Sequence, residues 1–274
     1  MGSAVHWTAD LGGGFRATLL QTGTRRIDAG SLFGPVPKLL WSRFVEGELD
    51  AAGSLEFVLQ TLLIETPDGH VLIDPGARGA DAQPGIAEAL VDAGSTPEAI
   101  DVVVLTHLQR DHAGALLTAD GAPAFLRGRI VAQAAEWAAA ARINARIAEA
   151  YDQPALATLA GAAAHSAADG DRVVHPGVEV IRTGGYSTGH QAVLVRAPGA
   201  APLAFLGDLL MRPWQANPRW ITAFDGFPLD AVRVKAELFG RAADEGWTVV
   251  ASHEPGAAVG RLIPDRDRFR FEAL

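Results

Sequence analysis

Residues 101–114 of the chain, DVVVLTHLQRDHAG, decide the fold. The run at 101–105 is short and apolar, which is typical of a strand buried on both faces. Two histidines and an aspartate follow within six residues, at His107, Asp111 and His112. A short loop at the end of a rigid strand directs such side chains into one cleft, and imidazole and carboxylate are ligands that Zn²⁺, Mn²⁺ and Fe²⁺ accept. The stretch therefore predicts a metal site at a strand end.

Three later segments also place polar residues at the ends of apolar runs. Asp208 follows the run 203–207, His253 follows 249–252, and a Gly-rich loop at 183–190 carries further candidates. Taken alone, Asp208 is more typical of a helix cap or a turn, and His253 of a surface or a cap. The segment 107–112 is different, because its three ligand-type residues are too close together to be incidental. The four remaining histidines outside these segments lie in turn-like or N-terminal sequence, and we expect no functional role for them: His6, His70, His165 and His175.

The rest of the chain alternates strand and helix patterns. Strands are predicted at 57–64, 70–74, 101–105, 129–132, 172–175, 178–182, 191–197, 202–206 and 247–251, and helices at 84–93, 133–150 and 229–243. Residues 11–54 are Gly-rich and predict an irregular arm or loop over the site. No repeat and no linker divides the chain, so the pattern indicates one α/β domain over residues 1–274.

Composition excludes several classes of function. The formal charge is −9 and no basic patch is present, which argues against nucleic-acid binding. The absence of cysteine excludes disulfides, thiolate nucleophiles and Cys-based zinc sites. No apolar run is long enough for a membrane helix, and the N-terminal residues have no signal-peptide pattern. We therefore expect a cytoplasmic protein without a membrane partner.

The order of these motifs resembles the metallo-β-lactamase superfamily, and more closely its acyl-homoserine-lactonase-like branch, the quorum-quenching lactonases. The resemblance covers roughly residues 15–262 and implies an αββα sandwich with a metal cleft at one edge of its two sheets. Segments outside the ligand motifs also match in order: FGPVPK (33–38), LIDPG (72–76), AEW (135–137), PGV (176–178), GHQ (189–191), and NPRW (217–220) through FDGFP (224–228).

The departures from the family pattern concern the first of its two metal sites. The three histidine positions of that site correspond here to His107, Gln109 and Tyr186. A Gln amide is a weak Zn²⁺ ligand, and a phenol ligates only after ionising from near pKa 10. This resemblance therefore implies a degraded first site. The ligands of the second site are all present, at Asp111, His112, Asp208 and His253.

Other family positions imply supporting roles. His190 matches a histidine that is not normally a direct ligand, and Met211 stands where the lactonases carry a tyrosine that polarises the lactone carbonyl. Asp74 resembles a carboxylate that orients a ligand histidine, but a turn aspartate before Pro75-Gly76 is an equal alternative.

Two functions remain open. The first is a metal-dependent hydrolase of a small ester or lactone, with one divalent ion (Zn²⁺, or Mn²⁺ or Fe²⁺) more expected than two. In it, His107 or Asp111 acts as general base, and Tyr186 or Gln109 hydrogen-bonds the oxyanion. The second is a repurposed cleft with non-hydrolytic chemistry or ligand binding. A purely structural protein gains nothing from the four ligands. The partners expected are a small-molecule substrate and a second copy in a homodimer.

Overall fold

The computed structural model describes residues 3–142, 145–161 and 165–274, and they form two seven-stranded sheets. The first sheet runs in chain order through β1 (Val5–Gly12), β2 (Phe15–Asp28), β3 (Ser54–Thr66), β4 (Gly69–Ile73), β5 (Ile100–Val104), β6 (Arg129–Gln133) and β7 (His165–Ala168). The second contains β8 (Arg172–His175), β9 (Val178–Arg182), β10 (Gln191–Val195), β11 (Leu203–Phe205), β12 (Thr248–Val250), β13 (Val259–Asp265) and β14 (Arg268–Ala273), in the order β14-β13-β12-β11-β10-β9-β8. Strands β4 to β7 are parallel, as are β11 and β12, and all other neighbours are antiparallel.

Seven α-helices accompany the two sheets in the described part of the chain. They are α1 (Ala29–Phe33), α2 (Lys38–Trp41), α3 (Ile86–Asp92), α4 (Arg110–Ala113), α5 (Ala134–Ala140), α6 (Gln153–Ala160) and α7 (Pro228–Asp244). The longest, α7, begins at Pro228, where a missing N–H costs nothing. Its buried residues recur at helical spacing (Ala231, Val234, Leu238, Phe239 and Ala242), so one stripe faces the core.

Three apolar layers hold these elements together. The middle layer lies between the sheets and contains residues of both, such as Ile73 and Val104 of the first and Val193 and Phe205 of the second. A second layer packs α3, α5 and α6 on the outer face of the first sheet. The third packs α1 and α7 on the second sheet. This is an αββα sandwich, and the predicted fold class is confirmed.

The third layer contains a group of stacked rings that we call the Phe33 cluster: Phe33, Trp41, Trp214 and Trp220. The Phe33 ring stacks on Trp41 at 4.7 Å and on Trp214 at 4.0 Å between centroids, and meets Trp220 edge-on at 5.8 Å. Tyr186 and Met211 belong to the same buried layer. Aromatic pairs of this kind add to stability beyond the area that they bury.

The prediction of an irregular arm at 11–54 is wrong for much of that range. Residues 15–28 form β2, which pairs with β3 from Arg16↔Glu65 to Asp28↔Ser54 with one bulge between Gln21 and Gly23. Gly-rich composition is a local signal, whereas this pairing is set by a partner strand far along the chain. Only residues 29–53 are helical turns and loop, and the single-domain interpretation stays a prediction.

The predicted helix at 133–150 is also wrong in length. Helix α5 ends at Ala140, residues 143–144 lie outside the described residues, and a short 3-10 turn covers 148–150. A straight helix of that length would extend about 27 Å. Instead the chain turns back, so that the Tyr151 hydroxyl reaches the Glu136 carboxylate at 3.2 Å and the Gln153 amide bonds the Ala140 carbonyl at 2.9 Å.

The other predicted elements agree with the structure to within a few residues, but the sequence analysis missed β1, α4, α6, β7 and the β13–β14 hairpin. Among the residues that the structure describes, none of the helices is both long enough and apolar enough to cross a membrane.

Candidate metal centre

The ends of strands from both sheets meet at one edge of the sandwich. Strand β5 leads directly into Thr106 and His107, and the short helix α4 that follows carries Asp111 and His112. Parallel strands end at the same sheet edge, so β11 and β12 bring Asp208 and His253 together there. The site therefore draws its ligand-type residues from loops of both sheets.

Three imidazoles converge on the Asp208 carboxylate. Its Oδ1 lies 3.0 Å from His253 Nε2 and 3.1 Å from His112 Nε2, and its Oδ2 lies 3.6 Å from His107 Nε2. All four side chains are buried. Their ligand atoms, with that of Asp111, form two overlapping groups in which all atoms lie within 4.8 Å of one another: His107, His112 and Asp208, and Asp111, His112 and His253.

The opposite ring nitrogen of each histidine is held by an acceptor. Nδ1–H of His112 donates to Asp74 Oδ2 at 2.7 Å, and Nδ1–H of His253 donates to the Val58 carbonyl at 2.8 Å. The Thr106 hydroxyl donates to Asp74, so it accepts from His107 Nδ1–H at 2.9 Å. Each ring therefore directs Nε2 at Asp208, and a nitrogen in this position carries a lone pair that a metal can accept.

The set fits a divalent metal. His107 Nε2 and His112 Nε2 are buried and have no hydrogen-bond partner among the described residues, a state that costs free energy unless a ligand completes it. Nitrogen and oxygen donors of this kind suit Zn²⁺, Mn²⁺ or Fe²⁺. The residues that could hold such an ion are those of the two groups above: His107, Asp111, His112, Asp208 and His253.

Asp74 follows β4 and contacts the site through two residues. It accepts the Thr106 backbone N–H at 2.7 Å and the Thr106 hydroxyl at 2.6 Å, besides His112 Nδ1. Its φ of 51° is unusual for a residue other than glycine, and fixes the carboxylate under the loop. Of the two alternatives left open by the sequence, these contacts favour an orienting carboxylate.

Charges in the cluster shift the pKa values of its members. Burial opposes protonation of His112, but the carboxylates of Asp208 and Asp74 outweigh it and raise the pKa of this imidazole well above its ordinary value. Burial likewise opposes ionisation of Asp208, and the positive charge of His112 outweighs it and holds its pKa well below the usual range. A proton and a metal ion compete for such a pair, so a bound cation takes the place of the proton.

The two altered family positions contact each other. The Tyr186 hydroxyl donates to Gln109 Oε1 at 3.0 Å, and the Tyr186 ring lies 5.0 Å from that of His107. Burial, followed by the carboxylate of Asp208, raises the pKa of the Tyr186 phenol well above its ordinary value. The phenol therefore holds its proton in this structure and donates it to Gln109.

His190 and Met211 lie next to the cluster without joining the ligand groups. The ring of His190 is buried 5.5 Å from that of His107, and burial, followed by the charge of His107, lowers its pKa well below the ordinary value. Its Nδ1 bonds the Thr183 hydroxyl at 2.7 Å. The Met211 carbonyl accepts the His253 backbone N–H at 2.9 Å, while its side chain is buried in the Phe33 layer.

Two residues of the site were given no role by the sequence analysis. Arg25 of β2 places Nη2 at 2.6 Å from Asp111 Oδ2. Burial opposes ionisation of Asp111, but the Arg25 guanidinium and His112 outweigh it and hold the pKa of this carboxyl below its usual range. Glu136 at the start of α5 is fully buried and accepts hydrogen bonds from the 183–190 loop. The only sequence signal for Glu136 was its place in the AEW match, and Arg25 had none.

Comparison with known proteins agrees with this geometry. Residues 57–253 match the model of the metallo-beta-lactamase superfamily, and the chain belongs to that superfamily. An N-acyl homoserine lactonase from a Bacillus species is 26% identical over 188 residues, covering 61% of this chain and 68% of the relative.

Two solved structures share the whole fold. AidC, a dizinc quorum-quenching lactonase in complex with a product, superposes with a TM-score of 0.86 at 15% identity and covers 98% of this chain and 97% of its own. The hydrolase AbOPH superposes with a TM-score of 0.85 at 22% identity and covers 100% of this chain and 99% of its own. The predicted superfamily and enzyme class are confirmed, and the chain is a metallo-β-lactamase-fold hydrolase with lactonases among its relatives.

Proposed function

We propose that this hydrolase cleaves a small ester or lactone and uses one divalent ion, most simply Zn²⁺, held by Asp111, His112, Asp208 and His253. The observation that carries the proposal is the convergence of buried Nε2 atoms on the Asp208 carboxylate, with each Nδ1 engaged elsewhere. The Tyr186–Gln109 hydrogen bond supports one ion rather than two. These two side chains stand where a first metal site would need two further ligands, and they bond each other.

In such a reaction the acyl C–O bond breaks, the oxygen of water joins the acyl carbon and a proton reaches the leaving oxygen. A bound divalent ion polarises the substrate and makes water nucleophilic near neutral pH. The chain's own residues supply proton transfer and hydrogen bonding. His107, with Nδ1 bonded to Thr106, presents Nε2 as a general base. Asp111 is the weaker candidate, because its ion pair with Arg25 stabilises the charged form.

Tyr186 and Gln109 provide the hydrogen-bond donors nearest the altered first site. The amide N–H of Gln109 can donate to an oxyanion that develops on the substrate, and the phenol of Tyr186 can do so when its O–H turns away from Gln109 Oε1. They would take over the part that the lactonase tyrosine plays, because Met211 has no donor. The lactonase relatives favour a lactone or a related ester as the substrate.

The test combines metal content with turnover. We expect about one ion per chain in protein purified without chelators, together with hydrolysis of simple esters or lactones. The substitution His253→Ala removes a ligand, so both metal and activity should be lost. His6→Ala is the matched control, because His6 lies outside the ligand groups and its side chain bonds the exposed Gly256 carbonyl.

Full activity in metal-free protein would falsify the proposal. No ion after addition of Zn²⁺, Mn²⁺ or Fe²⁺ would favour the repurposed cleft instead. The homodimer and the cytoplasmic location remain proposals that come from the sequence alone.

A further inference from the structure

Asp111 borders a cavity whose lining contains as many arginines as aspartates, although the chain as a whole has a net charge of −9. The cavity has a volume of about 530 Å³, and three arginines line it: Arg25, Arg78 and Arg110. Its acidic lining residues are Asp81, Asp111 and Asp152. The cavity opens beside the candidate metal centre, so a substrate that reaches the centre from this side meets these side chains first.

Arg25 is held over the metal-binding residues. It lies opposite Phe57 in the β2–β3 pairing, so both side chains lie on one face of the sheet. Its guanidinium lies 5.1 Å from the Phe57 ring centroid, and that ring stacks on His253 at 3.9 Å. Nε of Arg25 is buried and has no hydrogen-bond partner within the part of the chain that the structure describes. One donor of this arginine is therefore unused.

The other charges of the cavity divide into paired and unpaired ones. Arg78 bonds Asp152 at 2.5 Å, and this pair contributes little net charge. Arg110 begins α4 next to Asp111 and is exposed, and its guanidinium forms no ion pair or hydrogen bond with the residues that the structure describes. Apart from Asp152, the acids of the lining are Asp81 and Asp111, and Asp111 is paired with Arg25 at 2.6 Å.

A divalent cation bound by Asp111 would weaken the ion pair between Arg25 and Asp111. When Asp111 ligates a divalent cation, its charge is compensated by the ion and no longer by the guanidinium alone. Arg25 and Arg110 then present donors to the cavity without a full counter-charge. Guanidinium groups bind carboxylate and phosphate oxygens in a bidentate manner, and such charge-assisted bonds are about twice as strong as neutral ones.

We propose that this cavity binds an anionic group of the substrate, so that the preferred ester or lactone carries a carboxylate or a phosphate close to the bond that is cleaved. This inference rests on the proposed hydrolase function and names the class of substrate. Arg25 and Arg110 are the residues that bind the anion, and Arg78 shapes the wall through its pair with Asp152.

The first test compares two esters that have the same leaving group but differ in the charge of the acyl group. Zinc-loaded protein should cleave the mono-4-nitrophenyl ester of glutarate with a kcat/KM about tenfold above that of 4-nitrophenyl acetate, as expected for one charged hydrogen bond. Arg25→Gln and Arg110→Gln should each reduce this ratio several-fold. Arg127→Gln is the control, because Arg127 is exposed, pairs with Asp101 and lies outside the cavity.

The second test measures anion binding without turnover. Calorimetry with glutarate and with inorganic phosphate on zinc-loaded protein should show binding that Arg25→Gln and Arg110→Gln weaken, with the zinc content checked in each variant. Preference between the two anions identifies the charged group. Arg25 contacts Asp111, a proposed metal ligand, so Arg25→Gln can lose zinc. In that case the result for Arg110→Gln is the decisive one.

The outcomes separate the two proposals. Equal turnover of both esters, with neither anion binding, overturns the anionic substrate and leaves the hydrolase intact. If zinc-loaded protein cleaves no ester or lactone, the hydrolase fails. Arginine-dependent binding of glutarate or phosphate then still supports an anion site, and its absence overturns that inference as well.

Discussion

Gln109 and Tyr186 are joined by a hydrogen bond beside the candidate metal centre. The phenol donates to the amide oxygen at 3.0 Å, and both side chains are buried. A neutral pair in place of two imidazoles gives no strong ligand to a second ion. At the scale of single residues, this pair stands at the two positions where the family pattern implies histidines.

Restoring histidine at both positions tests that interpretation. The double substitution Gln109→His/Tyr186→His supplies two Nε2 or Nδ1 donors next to His107 and Asp208, so we expect the metal content to rise from about one to about two ions per chain. Elemental analysis gives the count. Tyr186→Phe is the control, because it removes the hydroxyl without adding a ligand. An unchanged count in the double variant would mean that the ligands have been assigned wrongly.

Arg25 shows why part of the site could not be predicted. Asp111, His112, Asp208 and His253 stand in motifs that follow apolar strands, and such local patterns are visible in a sequence. Arg25 and Asp111 lie 86 positions apart in the chain. They meet only because β2 pairs with β3 beyond a bulge. Composition around Arg25 gives no sign of that pairing.

Helix α5 acts on the site through the carboxylate of Glu136. The carboxylate accepts the Ser187 hydroxyl at 2.7 Å and the Gly189 N–H at 2.8 Å in the 183–190 loop. It also accepts the Tyr151 hydroxyl at 3.2 Å and the Leu108 N–H at 3.3 Å. One buried side chain thus joins α5 to the loops that carry Tyr186 and the first ligands.

The substitution Glu136→Gln should destabilise this element. Glutamine keeps one acceptor and turns an NH₂ group toward donors, which leaves buried N–H or O–H groups unpaired. We expect a loss of about 2–3 kcal/mol in the free energy of unfolding, measured by urea denaturation. Glu149→Gln, at an exposed position, should change it by less than about 0.5 kcal/mol. Equal effects of the two variants would contradict the role of Glu136.

Helix α7 contains a buried lysine whose protonation depends on folding. Lys235 donates to the Trp220 carbonyl at 2.7 Å, and burial lowers its pKa from 10.5 to about 8, with only partial compensation by Asp225. The unfolded chain therefore binds this proton more tightly than the folded one. Between the two pKa values the unfolded state holds more protons, so stability contributed by this group rises with pH in that window and is lowest below it.

A comparison of the wild type with Lys235→Met isolates the effect. The stability of the wild type relative to the variant should increase by about 3 kcal/mol as the pH rises from about 7.5 to about 10.5. Denaturant unfolding at several pH values gives the difference, in which other titrating groups cancel. A difference that stays constant with pH would show that Lys235 keeps its ordinary pKa in the folded chain.

Element prediction failed where distant contacts decide the structure. The stripe of α7 and the apolar run of β5 are local patterns, and both were found. Alanine-rich sequence favoured a helix to residue 150, but Glu136 and Tyr151 contact each other only if the chain turns back after Ala140. The β13–β14 hairpin lies at the C-terminal end, outside the region from which strands were predicted.

At the scale of the whole molecule, the candidate metal centre joins the two sheets. His107, Asp111 and His112 follow a strand of the first sheet, whereas Asp208 and His253 follow strands of the second. An ion bound by both sets links the halves of the sandwich through coordination bonds. Because the unfolded chain lacks this arrangement, binding should stabilise the folded state.

Removal of the metal should therefore lower the melting temperature. Free ion at about 100 times its Kd contributes about 2.7 kcal/mol, which corresponds to a shift of roughly 5–10 °C for a chain of this size. Scanning calorimetry with and without a chelator measures it. His253→Ala, which lacks a ligand, should show no chelator-dependent shift. An equal melting temperature for both forms of the wild type would place the ion outside the folded core.

The Phe33 cluster gives the protein an internal optical reporter. It gathers three of the six tryptophans of the chain into the buried layer that also holds Tyr186 and Met211. Met211 lies three residues before Trp214, and its carbonyl accepts the His253 backbone N–H. Indole emission responds to small changes in its surroundings, so we expect ultraviolet excitation to follow the binding of an added ion at the candidate metal centre, with no dye and no chromogenic substrate.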